Sequence, residues 1–130
     1  GIHLKRIYFL LSCSLVLLPG LSSAQKYDPC ETQRNTHEIN DCGKITLAEK
    51  DKALNAAYQK LMKRLQDEAD SETRNHLIDA QRHWIRFRDS DCKAKAARYE
   101  GGSMRGAVHL RCLAERTEQR AKELQKWVGT

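Results

Sequence analysis

From residue 35 onward, apolar side chains return every three or four positions, the spacing of one face of an α-helix. Ile39, Leu47, Leu54, Tyr58, Leu61 and Leu65 make the first such face, reaching to about residue 66. Asn35 followed by Glu38 is a capping-box pattern that predicts where this helix starts. Gly43 interrupts it and weakens the pattern locally. The run Asp67-Glu68-Ala69-Asp70-Ser71-Glu72 reads as a turn, with Asp70 or Ser71 capping a second helix whose first turn is acidic. That helix carries Leu77, Ile78, Trp84, Ile85 and Tyr99 on its stripe and stops at Gly101-Gly102. Ser103 then caps a third, with Leu110, Leu113, Thr117, Leu124, Trp127 and Val128 on its stripe and Arg120 in the middle. Neither strand alternation nor an internal repeat is visible, and the prolines, Pro19 and Pro29, precede the helical region. The simplest architecture is an antiparallel three-helix bundle with short connections.

The residues ahead of this region read differently. Lys5 and Arg6 precede the apolar run from Ile7 to Leu18, followed by Pro19-Gly20 and Ser22-Ser23-Ala24. A charged start, an apolar stretch and a small-x-small site predict a signal peptide over 1–24, cleaved after Ala24. The run falls short of the ~20 apolar residues of a membrane span. Leu10-Leu11-Ser12-Cys13 faintly resembles a lipoprotein box, but cutting there sacrifices half the apolar run. Residues 25–130 are then a single domain, periplasmic or secreted, with no membrane contact expected after cleavage.

Composition agrees with export. The leader holds two of the 23 Lys and Arg and none of the 17 Asp and Glu, so the mature excess is mildly positive. No basic stripe or recognisable motif argues for nucleic acid. Removing Cys13 leaves Cys30, Cys42, Cys92 and Cys112, an even set that reads as two disulfides in an oxidising compartment. Their spacings lack the close pairs of a zinc framework. Cys30 lies before the cap and can fold back on Cys42, while Cys92 and Cys112 stand level about Gly101-Gly102. These facts favour Cys30–Cys42 and Cys92–Cys112. The rival set, Cys42–Cys92 with Cys30–Cys112, stays open. The expected fold is all-α: an antiparallel three-helix bundle stapled by two disulfides.

The second stripe is not purely apolar. At 100° per residue, Gln81, Arg88 and Cys92 fall within about 20° of one line, beside Trp84 and Ile85. An unpaired buried polar group costs about 1–3 kcal/mol, so partners must exist. The favoured reading is a locking network: Arg88 pairs with a carboxylate, Gln81 bonds across to helix one at Asn55, and Arg120 joins or reaches solvent. Gln81, Arg88, Asp89 and Asp91 as a ligand site is the sharper alternative. His37, His76, His83 and His109 offer no metal spacing, and Asp89-Ser90-Asp91 lacks the glycine and distal glutamate of a calcium loop. With no nucleophile–base constellation or phosphate loop, no catalysis and no cofactor are expected.

The strings Asn35-x-x-Glu38-Ile39-Asn40-x-Cys42, Leu54-Asn55-x-x-Tyr58 and Ala80-Gln81-x-x-Trp84-x-x-x-Arg88-Asp89-x-x-Cys92 look like the LprI-type lysozyme-inhibitor domain. Tyr99-Glu100-Gly101-Gly102-Ser103 and Cys112-Leu113-x-x-x-Thr117-x-x-Arg120-x-x-x-Leu124 continue the resemblance across about residues 30 to 125. It implies a small exported bacterial helical domain, with inhibition of host lysozyme attributed to some members. The motif residues read as structural, so no inhibitory residue is carried across. The expected function is binding: occlusion of a lysozyme or another cell-wall muramidase. Asp67, Glu68, Asp70 and Glu72 form an acidic tip that a cationic lysozyme would attract, and are the candidate contact residues. The alternative is an envelope module binding an anionic glycan or a partner protein through Arg82, Arg86, Lys93, Lys95 and Arg98.

Overall fold

The structure is a computed structural model that describes Gly20 and residues 26–129, with the side chains of 128 and 129 left aside. The expected signal peptide therefore lies, apart from Gly20, outside the described residues, as does the inward placement of Val128. Four helices follow one another: α1 (Pro29–Thr32), α2 (Thr36–Asp67), α3 (Ser71–Ala97) and α4 (Arg105–Gly129). The expectation of three helices omitted α1. This single turn carries Pro29 at its start, where a missing N–H costs nothing. Asp28 caps it, its Oδ1 accepting from the Cys30 N–H at 2.8 Å.

Asn35 caps α2, its Oδ1 accepting from the Glu38 N–H at 3.0 Å. The Glu38 carboxylate does not return the bond to Asn35 as a capping box would. It takes the Arg34 N–H one residue earlier, at 2.8 Å. At the other end of α2 the Asp70 N–H reaches the Leu65 carbonyl and the Ala69 N–H reaches that of Gln66. This is a Schellman closure with Ala69 in the left-handed region, φ 55°. Asp70 then caps α3, accepting from the Thr73 N–H at 3.0 Å, so one residue ends one helix and starts the next. Between α3 and α4, Gly101 takes the positive φ, 74°. α4 starts at Arg105, so its flanking position is Met104 and not Ser103.

Residue pairs order the helices. Asn40 meets Gly106, Gly43 meets Leu110 and Lys50 meets Glu118, so α2 and α4 run parallel. Cys92 with Cys112 and Gln81 with Arg120 set α3 antiparallel to α4. The α2–α4 crossing is close because of its glycines. A Cβ on Gly43 would stand 3.1 Å from the Leu110 side chain, and one on Gly106 3.2 Å from the Asn40 amide.

The core lies at the end that holds the 67–71 turn. Leu54, Ala57, Leu61, Met62 and Leu65 of α2 meet Leu77 of α3 and Ala121 and Leu124 of α4, with Tyr58, Ile78 and Trp84 half-buried against them. Ile85, Tyr99 and Trp127, expected to face inward, are exposed at 42%, 48% and 48%. For α3 the reason is that α4 covers it far more than α2 does. Its buried residues are Leu77, Gln81, Cys92 and Ala96; Ile85 shares their angle but is left uncovered, and Tyr99 follows the end of the helix at Ala97. Among the described residues, no helix is long and apolar enough to cross a membrane.

Candidate functional site

Two disulfides, Cys30–Cys42 and Cys92–Cys112, fix the end opposite the core. The rival pairing is thereby excluded. Around the second bridge, α3 and α4 are joined by polar side chains. Arg120 donates from Nε to the Gln81 Oε1 at 3.0 Å, and Arg116 grips one Asp91 carboxylate oxygen through Nε and Nη2, at 3.1 and 2.8 Å. Arg88 donates from Nη1 to the Thr117 hydroxyl at 3.2 Å and to Asp51 of α2 at 3.4 Å. Its Nε meets Asp89 at 3.0 Å, and its guanidinium sits 5.3 Å from the centre of the Trp84 ring. Thr117, wholly buried, donates its own hydrogen bond to the Leu113 carbonyl at 2.7 Å, so its hydroxyl both donates and accepts.

Gln81, Trp84, Arg88 and Arg120 thus meet at one seam. Asn55 does not join them: it is exposed, and the partner of Gln81 is Arg120. A residue on α2's outer face cannot reach a side chain turned toward α4. Asp51 and Arg116 belong to the seam and were not anticipated, while Asp91, a residue of the alternative ligand site, and Thr117, a residue of the third stripe, join it as partners of Arg116 and Arg88. The level counting about Gly101-Gly102 that aligned Cys92 with Cys112 would also have brought Asp91 within a turn of Arg116.

A second polar cluster surrounds Glu38, whose side chain is 7% exposed. Its carboxylate accepts from the Thr32 hydroxyl and the Arg34 N–H, each at 2.8 Å, and from the Arg34 guanidinium at 3.1 Å. The Arg34 N–H above all, then its guanidinium and Thr32, pull the Glu38 pKa down to about 2. Partial desolvation first, then the nearby Glu38 carboxylate, raises the pKa of the Tyr27 phenol. Next to this cluster, a groove of about 320 Å³ runs between α2 and α4, floored by Ile39, Gly43 and Leu110 and edged by Lys50 and Glu118. The Lys50 ammonium, 3.0 Å from Glu118, lowers that carboxyl's pKa.

At the far end, the acidic turn is partly occupied by its own helix. Asp67 pairs with Lys63, and Glu68 with Arg64 at 2.8 Å. Asp70 caps α3, and its bonds to Thr73 lower its pKa. Glu72 is exposed and has no side-chain partner among the described residues. The basic residues of α3 face solvent: Arg82 lies 3.9 Å from Asp79, and Arg86, Lys93, Lys95 and Arg98 are exposed. Among the described residues, the group close enough to hold a metal is Asp91, Cys92 and Cys112, and its two sulfurs are spent in the disulfide.

Comparison with known proteins gives a family and a relative. The family model described as Lysozyme inhibitor LprI matches residues 28–124, from the cap of α1 to the last core leucine of α4. An uncharacterized protein of Rhizobium meliloti (strain 1021) is 30% identical over 115 residues, covering 81% of this chain and 83% of its own length. No solved structure gives a significant match.

Proposed function

The chain belongs to the LprI lysozyme-inhibitor family, and from that premise we propose that it binds a lysozyme-type muramidase and blocks it by occlusion. The observation that carries the reading is the extent of the match, which takes in both disulfides and every helix. We place the blocking surface at the α2–α3 turn. It is narrow, since a single residue, Asp70, serves both helices. It presents Asp67, Glu68 and Glu72, all exposed, to the cationic surface typical of lysozymes. The pairing of Asp67 with Lys63 and Glu68 with Arg64 leaves these carboxylates at the surface, where they can exchange a weak partner for a better one.

The experiment is a cell-wall lysis assay with several lysozymes and the purified protein. Inhibition is expected, together with a loss of about tenfold in affinity for the triple variant Asp67→Asn, Glu68→Gln, Glu72→Gln, mostly as a slower association rate. Asp70 is kept because it caps α3. Unchanged inhibition by the triple variant moves the surface elsewhere on the bundle. Absence of inhibition by the unaltered protein, at high micromolar concentration against every lysozyme tried, overturns the function itself.

A further inference from the structure

The net positive charge of residues 26–129 equals that of one stretch at one end. Residues 93–111 contain five cations, Lys93, Lys95, Arg98, Arg105 and Arg111, against one acid, Glu100. The chain has 23 Lys and Arg and 17 Asp and Glu, and Lys5 and Arg6 precede residue 26. That one stretch therefore carries the whole positive excess of residues 26–129, and the remainder is neutral. Most cations elsewhere on the bundle's seams are paired, as Arg88, Arg116, Arg120 and Lys50 are. Here Lys93, Lys95, Arg98 and Arg111 have no side-chain partner among the described residues, and Arg105 reaches Glu100 only at 3.9 Å.

Two of these cations converge with a histidine. Lys93 of α3 and Arg105 and His109 of α4 line a hollow of about 280 Å³, floored by Ala96 and Gly106. Beside it the connecting turn holds Tyr99 and Met104 in solvent, 48% and 46% exposed. A ring with a polar tip and a flexible thioether next to unpaired cations have the chemistry of a membrane–water interface. A soluble polyanion would satisfy the cations and leave Met104 without a role.

We propose that this α3–α4 end docks on an anionic phospholipid bilayer, a headgroup phosphate seating between Lys93, Arg105 and His109 while Tyr99 and Met104 enter the interface. The contact is reversible and peripheral, and it leaves the α2–α3 turn pointing away from the bilayer. α3 sets that separation: at 1.5 Å per residue, the two turns are about 40 Å apart.

The test is flotation of the purified protein with vesicles of phosphatidylglycerol and phosphatidylcholine, against phosphatidylcholine alone. Binding is expected only to the anionic vesicles, weakening steeply as salt rises from roughly 0.05 to 0.5 M. The variant Lys93→Gln, Arg105→Gln should weaken it by about fivefold per charge removed. Removing the same charge at exposed positions of α2, Lys52→Gln with Lys60→Gln, should change it far less. Tyr99→Ser with Met104→Ser should weaken binding without altering its salt dependence. A second pair, Lys95→Gln with Arg98→Gln, serves should circular dichroism show the first misfolded. Equal losses from the α2 pair and the α3–α4 pair would overturn the proposal in favour of bulk charge. Binding of inorganic phosphate or a soluble anionic polysaccharide without flotation would overturn it in favour of a soluble ligand.

Discussion

Glu38 is nearly out of water, and its charge is held by three donors from the α1–α2 junction. Its pKa falls from an ordinary 4.5 to about 2, so the folded state binds its proton less readily than the unfolded chain. A depressed carboxyl contributes stability that is complete above the unfolded pKa and drains away as pH falls through the folded one. For Glu38 the window runs from about pH 4.5 down to about pH 2. Glu38→Gln should therefore lower Tm by a few degrees at pH 7, and the gap to the unaltered protein should close across that window. Thermal melts by circular dichroism at stepped pH check it, and a gap independent of pH would contradict it. The capping-box spacing made Glu38 legible in the sequence as a helix-start residue. Its burial was not, because that depends on α1, whose Cys30 is tied to Cys42 beside it. Nor was the choice of Arg34 as its backbone partner, which is set by a chain reversal at Gln33, φ 40°.

At the scale of elements, hydrophobic periodicity located α2, α3 and α4 because each buries one stripe. It overreached at Ile85, which shares the angle of the buried residues but is left exposed, and at Tyr99, which follows the end of α3 at Ala97. A helix covered mainly by one neighbour buries one line of residues, and sequence spacing does not say how many neighbours there are. The choice of Asn55 over Arg120 as the partner of Gln81 failed because the need for a partner follows from burial, but its identity follows from which helix lies opposite. The end of α2 was located by its acids alone, since the usual glycine is missing. Ala69 holds the left-handed position of the Schellman closure, exposed and strained by its Cβ. Ala69→Gly should stabilise the protein by about 0.5–1 kcal/mol, the reverse of what glycine does inside a helix. Urea unfolding with an unchanged m-value is the measurement. Loss of stability would mean that the flexibility added to the unfolded chain outweighs the relief of strain.

Over the whole molecule, what holds the two ends differs in kind. Near the 67–71 turn, leucines from all three long helices meet in one apolar cluster. Toward the other end, α2 and α4 approach through glycines and flank a groove, and α3 is held by the Asp91–Arg116 pair and the Cys92–Cys112 bridge. Apolar burial there is slight, so cross-links substitute for packing, as small domains commonly require. A bridge closing a loop with a sequence separation of 20 contributes about 3 kcal/mol. Removing it should then act unevenly, because stability is distributed in local units. In the variant Cys92→Ala, Cys112→Ala, amide hydrogen exchange should accelerate first in the last turns of α3 and over 105–116 of α4. Residues 54–65 and 117–124 should keep their protection until global unfolding. Uniform acceleration along α4 would show instead that the bundle opens as one unit and that the leucine cluster cannot stand without the bridge. The uneven outcome would also keep the α2–α3 turn, the proposed blocking surface, ordered at the protected end while the cationic end loosens. Measuring exchange and lysozyme inhibition on the same variant separates the two ends directly.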